Sequence, residues 1–92
     1  MTGVADDAVP KMPRGVKLRE DKARGGWTLM APERIIKLDA IALEVLKCVD
    51  GASTVTTIVD GLAERFNAPR DQIDRDVKGL LGSLAEKRFL DL

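Results

Sequence analysis

The chain has 92 residues, 45% hydrophobic and 33% charged, which suits one small globular domain and leaves no room for two cores. Fifteen basic and fifteen acidic side chains cancel, removing the bulk attraction expected of a dedicated nucleic-acid binder. With no His and one Cys, the chain excludes Ser-His-Asp and Cys-His catalysis, a His/Cys zinc site and an internal disulfide.

The N-terminal stretch carries Asp6 and Asp7 and has no apolar core segment, so it does not read as a secretory signal. No apolar run approaches the roughly 20 residues that span a bilayer. A lone Cys fits a reducing compartment, and a cytoplasmic protein is expected. Residues 1–13 hold Pro10 and Pro13 without periodicity, and are expected to form a flexible arm before a folded domain over residues 14–92.

Val16–Glu20 alternates apolar and polar, the period of a half-buried strand. The polar run from Asp21 ends in Gly25-Gly26, a turn signal, and Trp27–Ala31 alternates again. Pro32 cannot donate to a ladder, so Pro32-Glu33 reads as a tight turn. Arg34–Leu38 is a third strand, with Ile36 and Leu38 on one face and Ile35 and Lys37 on the other. Three short strands with short links predict an antiparallel meander, whose edge strands leave N–H and C=O groups unpaired.

From Asp39 the period becomes helical. Asp39 suits an N-cap, and Ile41, Ala42, Val45, Leu46 and Val49 form an apolar stripe that ends at Asp50-Gly51. Ser53 or Thr54 caps a second helix with Val55, Ile58, Val59, Leu62, Ala63 and Phe66 on one face. Asn67 ends it, and Pro69 suits the first turn of a third. There Ile73, Val77, Leu80, Leu81 and Leu84 share a face, and the helix is expected to fade near Arg88 with Phe89 and Leu90 folding back on the core. The fold class is α+β: a three-stranded antiparallel sheet followed by a three-helix bundle, in a winged-helix-like arrangement.

Charge is segregated along the chain. Residues 1–38 hold eight basic and five acidic side chains, a net +3, and residues 39–92 hold seven and ten, a net −3. Cys48 reads as a small buried hydrophobe with little nearby positive charge to activate it. Asp71, Asp74 and Asp76 suit a helix N-terminus, and helical steps set Asp74 and Asp76 roughly 160° apart, against a shared metal. A winged-helix regulator of nucleic acid is the competing function. Its recognition helix would carry Arg70, Arg75 and Lys78 diluted by three Asp, with no basic stripe. Gly79 and Gly82, each costing about 1 kcal/mol inside a helix, would leave a shallow surface where another backbone can approach. Beside an open strand edge, that describes a groove for an extended peptide.

The residues then carry a resemblance. Gly15–Arg19, Asp21, Arg24–Arg34, Leu38-Asp39, Asp50-Gly51 and Thr54-Val55, in that order and spacing, resemble the PqqD family of pyrroloquinoline quinone biosynthesis. The resemblance runs from about Pro13 to the C-terminus, and Trp27–Arg34 followed by Asp50-Gly51 is its most specific part. It implies a chaperone-like peptide-recognition domain (a RiPP recognition element) rather than an enzyme, with no cofactor. Its partners would be a ribosomal precursor peptide, PqqA, and a radical S-adenosylmethionine enzyme, PqqE, which cross-links a Glu and a Tyr of that peptide. Such domains take the peptide as an added strand beside the third strand, against the third helix. In some organisms the domain is fused to the last enzyme of the pathway, and this chain is expected to be too short for such a fusion.

The docking edge is therefore expected at Arg34, Ile35, Ile36, Lys37 and Leu38. Of the two flanks of the third helix, one carries Asp74, Lys78, Leu81 and Ala85, the other Gln72, Asp76, Gly79 and Ser83. The first is expected to wall the groove, with Leu81 as an apolar contact and Lys78 pairing with an acidic peptide residue. The mildly basic strands around Lys17, Arg19 and Arg24 are the expected surface for the partner enzyme. A monomer is expected, and a hinge near Ala31-Pro32-Glu33 would permit strand exchange into a dimer.

Overall fold

The computed structural model describes residues 4–92. Three strands, β1 (Lys17–Glu20), β2 (Trp27–Ala31) and β3 (Arg34–Leu38), are followed by three helices, α1 (Ala40–Lys47), α2 (Val55–Phe66) and α3 (Arg70–Glu86). The sheet is antiparallel in the order β1-β2-β3. Among the described residues no helix is long and apolar enough to cross a membrane.

Local chemistry sets the helix ends. Asp39 caps α1 by accepting from the Ala42 N–H at 2.7 Å, and Thr54 caps α2 by accepting from Thr57 N–H at 3.1 Å. Ser53, the other candidate, is held instead by Asp50, whose carboxylate takes the Ala52 and Ser53 N–H groups in the α1–α2 loop. Asn67 ends α2 in the left-handed region at φ 49°, and Ala68 N–H reaches back to Ala63 O at 3.1 Å. Pro69 stands one place before its expected position, as the N-cap of α3. Arg88 at φ 64° turns the chain after α3, and Phe89 N–H bonds to Leu84 O at 2.8 Å. That turn sends Phe89 and Leu90 into the core as expected.

Leu29 at the centre of β2 is fully buried, in one core cluster with Val45, Leu46, Val59, Leu62, Val77, Leu81 and Leu84. Leu81, expected on a groove wall, belongs to this core at 0% exposure. It lies four residues after Val77, about 40° further round the helix at 100° per residue, and so shares the core stripe. Two stripe residues go the other way. Ile41 and Phe66, expected to be covered, are 65% and 52% exposed.

The N-terminal segment, expected as a flexible arm, is laid along the domain from residue 4 onward. Ala8 O accepts from Val55 N–H at 2.9 Å, and Asp6 O accepts from Thr56 N–H at 3.0 Å. These are unpaired donors of the first turn of α2, so the arm's carbonyls cap that helix. Pro10 is buried, and Lys11 pairs with Asp91 as an antiparallel bridge. Residues 1–3 of the expected arm lie outside the described residues.

Leu81→Ala should cost about 2–5 kcal/mol in urea unfolding, whereas Ile41→Ala should cost under about 1 kcal/mol. Equal losses would contradict the burial just described.

Candidate functional site

The hydrogen-bond parity of the sheet fixes which edge is open and with which atoms. Asp21 N–H donates to Gly26 O at 2.9 Å, so Gly26 turns its main chain toward β1. In an antiparallel strand this direction alternates residue by residue. Thr28 and Met30 therefore bond to β1, while Trp27, Leu29 and Ala31 bond to β3 through their partners Leu38, Ile36 and Arg34. The N–H and C=O groups of Ile35 and Lys37 point away from β2, at the free edge of the sheet. Their side chains are exposed on the face opposite Ile36 and Leu38, which pack against the core.

The start of β3 is tied to the chain just past α3. Arg34, at the start of β3, donates to Lys87 O and stacks on Phe89 with 4.4 Å from guanidinium to ring centroid. Past the end of β3, Ile41, Glu44 and Val45 of α1 face Gln72, Ile73, Asp76 and Val77 of α3. Four steps of β3 span about 13 Å, and the eleven residues from Asp76 to Lys87 rise about 16 Å, so the two stretches are of comparable length. Past the end of β3, α1, α2 and α3 enclose an apolar groove of about 330 Å³, whose walls include the exposed Ile41 and Phe66.

The α3 flank at that groove is the one carrying Gln72 and Asp76. Gly79 follows one turn on, with open space where a Cβ would stand, while Gly82 is buried and offers no surface. Asp74 and Lys78, expected on the groove wall, face the N-terminal segment instead. Lys78 Nζ lies 2.6 Å from Asp6 and 3.2 Å from Asp74. Its pairing is intramolecular, and Ala85 lies on the same flank, roughly 20° from Lys78 by helical steps. The hydrogen bond from Lys78, and then its charge, hold the Asp6 carboxyl below its ordinary range, while Asp6 and then Asp74 raise the Lys78 ammonium above its own. Helical periodicity separates the two flanks, but only the position of the arm decides which one is covered.

The outer face of the sheet forms a second concavity, of about 820 Å³, with Met30 and Ile35 among its lining, four cations, Arg19, Lys22, Arg24 and Lys37, around them, and Glu20 and Asp21 at the β1–β2 turn. The expected partner-surface residues Arg19 and Arg24 meet here, and Lys17 stands one row along, opposite Met30. Cys48 donates to Glu44 O at 3.4 Å and is half-buried. Among the described residues no three His, Cys, Asp or Glu side chains converge on a metal position.

Residues 26–90 match the family described as Coenzyme PQQ synthesis protein D (PqqD). The chain belongs to the PqqD family. It is 42% identical over 92 residues to the PqqA binding protein of Xanthomonas axonopodis pv. citri, covering all of both chains. It is 44% identical over 87 residues to that of Rhodopseudomonas palustris strain TIE-1, covering 95% of this chain and 85% of the relative. The solution structure of the PqqD part of Methylobacterium extorquens PqqCD, described as a functional, stand-alone RiPP recognition element, superposes with a TM-score of 0.85. That structure is 42% identical, and the match covers 99% of this chain and 97% of the other. The PqqD fold of three antiparallel strands followed by three helices is thus present throughout.

Lys78→Met should return the Asp6 carboxyl to its ordinary titration range, read by NMR of its carboxyl carbon. The sign of the linkage follows. A depressed carboxylate pKa adds stability above the ordinary value, and that stability is lost as the pH falls through the depressed one. The variant should therefore lose less stability than the parent on acidification, and an unchanged Asp6 titration would contradict the pairing.

Proposed function

We propose that this PqqD-family protein binds a PqqA-type precursor peptide as a fourth strand on the open edge of β3, and presents it to a PqqE-type radical S-adenosylmethionine enzyme. One observation carries the reading: Ile35 and Lys37 turn unpaired N–H and C=O groups outward, and an apolar groove opens past the end of their strand. A strand added there gains main-chain bonds, and every second side chain faces the helical side of the sheet. The names of its relatives supply the peptide's identity. The other sheet edge, β1, is a poorer dock. Three of its four residues are charged.

The protein itself is read as a binder without catalysis. Holding an extended peptide on a preformed edge meets part of its ordering entropy before chemistry begins. It also raises the local concentration of the peptide at a bound enzyme. The basic surface at Lys17, Arg19 and Arg24 is our assignment for the enzyme contact. A nucleic-acid role is the weaker reading, because Arg70 and Lys78 of α3 are already paired with Asp60, and with Asp6 and Asp74.

Ile35→Pro removes an outward donor while leaving the β2–β3 ladder intact, and should weaken PqqA binding about tenfold or more in calorimetry. Gly79→Gln should also weaken it by filling the α3 side of the groove, while Lys78→Glu should change it little. A folded Ile35→Pro variant with full affinity would overturn the edge assignment. Reversing Lys17, Arg19 and Arg24 together should keep peptide binding and abolish enzyme binding. Full peptide cross-linking by the enzyme without this protein would overturn the presenting role.

A further inference from the structure

We propose that the outer face of the sheet also reads the peptide: Lys37 pairs with an acidic side chain of the docked strand, two residues from an apolar one that packs on Ile35. This rests on the docking of a peptide strand at β3 proposed above, and deepens it by assigning sequence specificity to the face away from the helices.

The geometry leaves little choice. Ile35 and Lys37 are the residues whose main chains meet an incoming strand, and their side chains share the outer face. The pleat then places the side chains of the two peptide residues opposite them on that same face, within cross-strand reach. These peptide residues are separated by one that points inward, toward the helical side of the sheet.

Charge decides what each position accepts. On the outer face Lys37, Thr28 and Arg19 lie in one row across the sheet, and Ile35, Met30 and Lys17 in the next. Neither row contains an acid. Among the described residues, Lys17, Arg19, Lys22, Arg24 and Lys37 take part in no ion pair, whereas Lys47, Arg65, Arg70 and Lys78 all do. Lys78, the α3 cation expected to meet an acidic peptide residue, is occupied by Asp6 and Asp74. Of the two cations of β3, Arg34 is engaged by Lys87 O and the Phe89 ring, while Lys37, on the outer face, takes part in no ion pair among the described residues. Ile35, at 62% exposure, gives the neighbouring position an apolar floor.

A one-residue slip of the peptide exchanges its two faces. The acidic residue would then leave Lys37, and the apolar residue would leave Ile35. Lys37 and Ile35 together therefore favour one register as well as one sequence.

The test is calorimetry of PqqA with the full-length protein and three sets of variants. Lys37→Glu should weaken binding about tenfold, and Lys17→Glu, on the same face but away from the edge, less than about twofold. PqqA variants with each acidic residue replaced singly by Lys should include one that binds the parent weakly and restores affinity to Lys37→Glu. Absence of PqqA binding to the parent protein would overturn the proposed function itself. Parent binding with an unaffected Lys37→Glu variant would overturn only the outer-face reading. So would equal losses for Lys37→Glu and Lys17→Glu, or the lack of any single compensating peptide variant, because each would reduce Lys37 to general attraction. Unchanged urea midpoints for both protein variants exclude misfolding as the cause of a loss.

Discussion

The structure depends on the register of the β2–β3 hairpin. In this antiparallel pair, side-chain direction and hydrogen-bond direction alternate together, so burying Leu29 and opening the Ile35 edge are a single choice. Ala31 pairs with Arg34 across the two-residue turn, Leu29 with Ile36 and Trp27 with Leu38, all on the face toward the helices. The intervening Ile35 and Lys37 must then be solvent-facing in their side chains and edge-facing in their main chains. Shifting β3 by one residue would bury Lys37 and withdraw the outward amides together. Core stability thus enforces the geometry of the edge, with no separate device to maintain it.

The order of elements and most of their boundaries were legible because each is written in side chains. Alternation over Lys17–Glu20 and Trp27–Ala31, a Pro at the turn, Asp and Thr at caps and Asn at a helix end each carry a local physical signal. Three features had no such signal. The arm caps α2 through the carbonyls of Asp6 and Ala8, and a carbonyl belongs to every residue type. Ile41 and Phe66 fit apolar stripes, yet periodicity reports which residues share a face and says nothing of whether anything covers it. The flanks of α3 separate cleanly by helical steps, but the flank beside the apolar groove follows from where the arm and α1 pack. Both of these exposed stripe residues line the groove among α1, α2 and α3.

Charge gives the two sides of the domain different roles. On the helical side, Glu44 holds Arg65 at 2.7 Å and Lys47 at 3.4 Å, Asp60 holds Arg70, and Asp6 and Asp74 hold Lys78. These exposed pairs add little stability singly, and among the described residues they engage four of the seven cations beyond residue 38, leaving Arg75, Lys87 and Arg88 in no ion pair. The sheet keeps Arg19, Lys22, Arg24 and Lys37 in no ion pair around Met30 and Ile35. The basic excess of residues 1–38 thus includes a cluster of free cations on the outer face of the sheet.

An open strand edge beside exposed apolar groups would ordinarily invite self-association, and the placement of Lys37 argues against it here. A second copy of β3 added antiparallel in full overlap would set each Lys37 against an Ile35, leaving both charges without a partner and both apolar side chains poorly matched. Sliding the copies until Lys37 meets Lys37 brings like charges together. The remaining match, Ile35 on Ile35, overlaps only three residues of each five-residue strand and brings Leu38 against Pro32, which has no N–H to offer. An acidic, alternating peptide meets none of these penalties. The residue that selects the foreign strand is thus also the residue that discourages the edge from pairing with itself, and one lysine on a five-residue strand serves both ends.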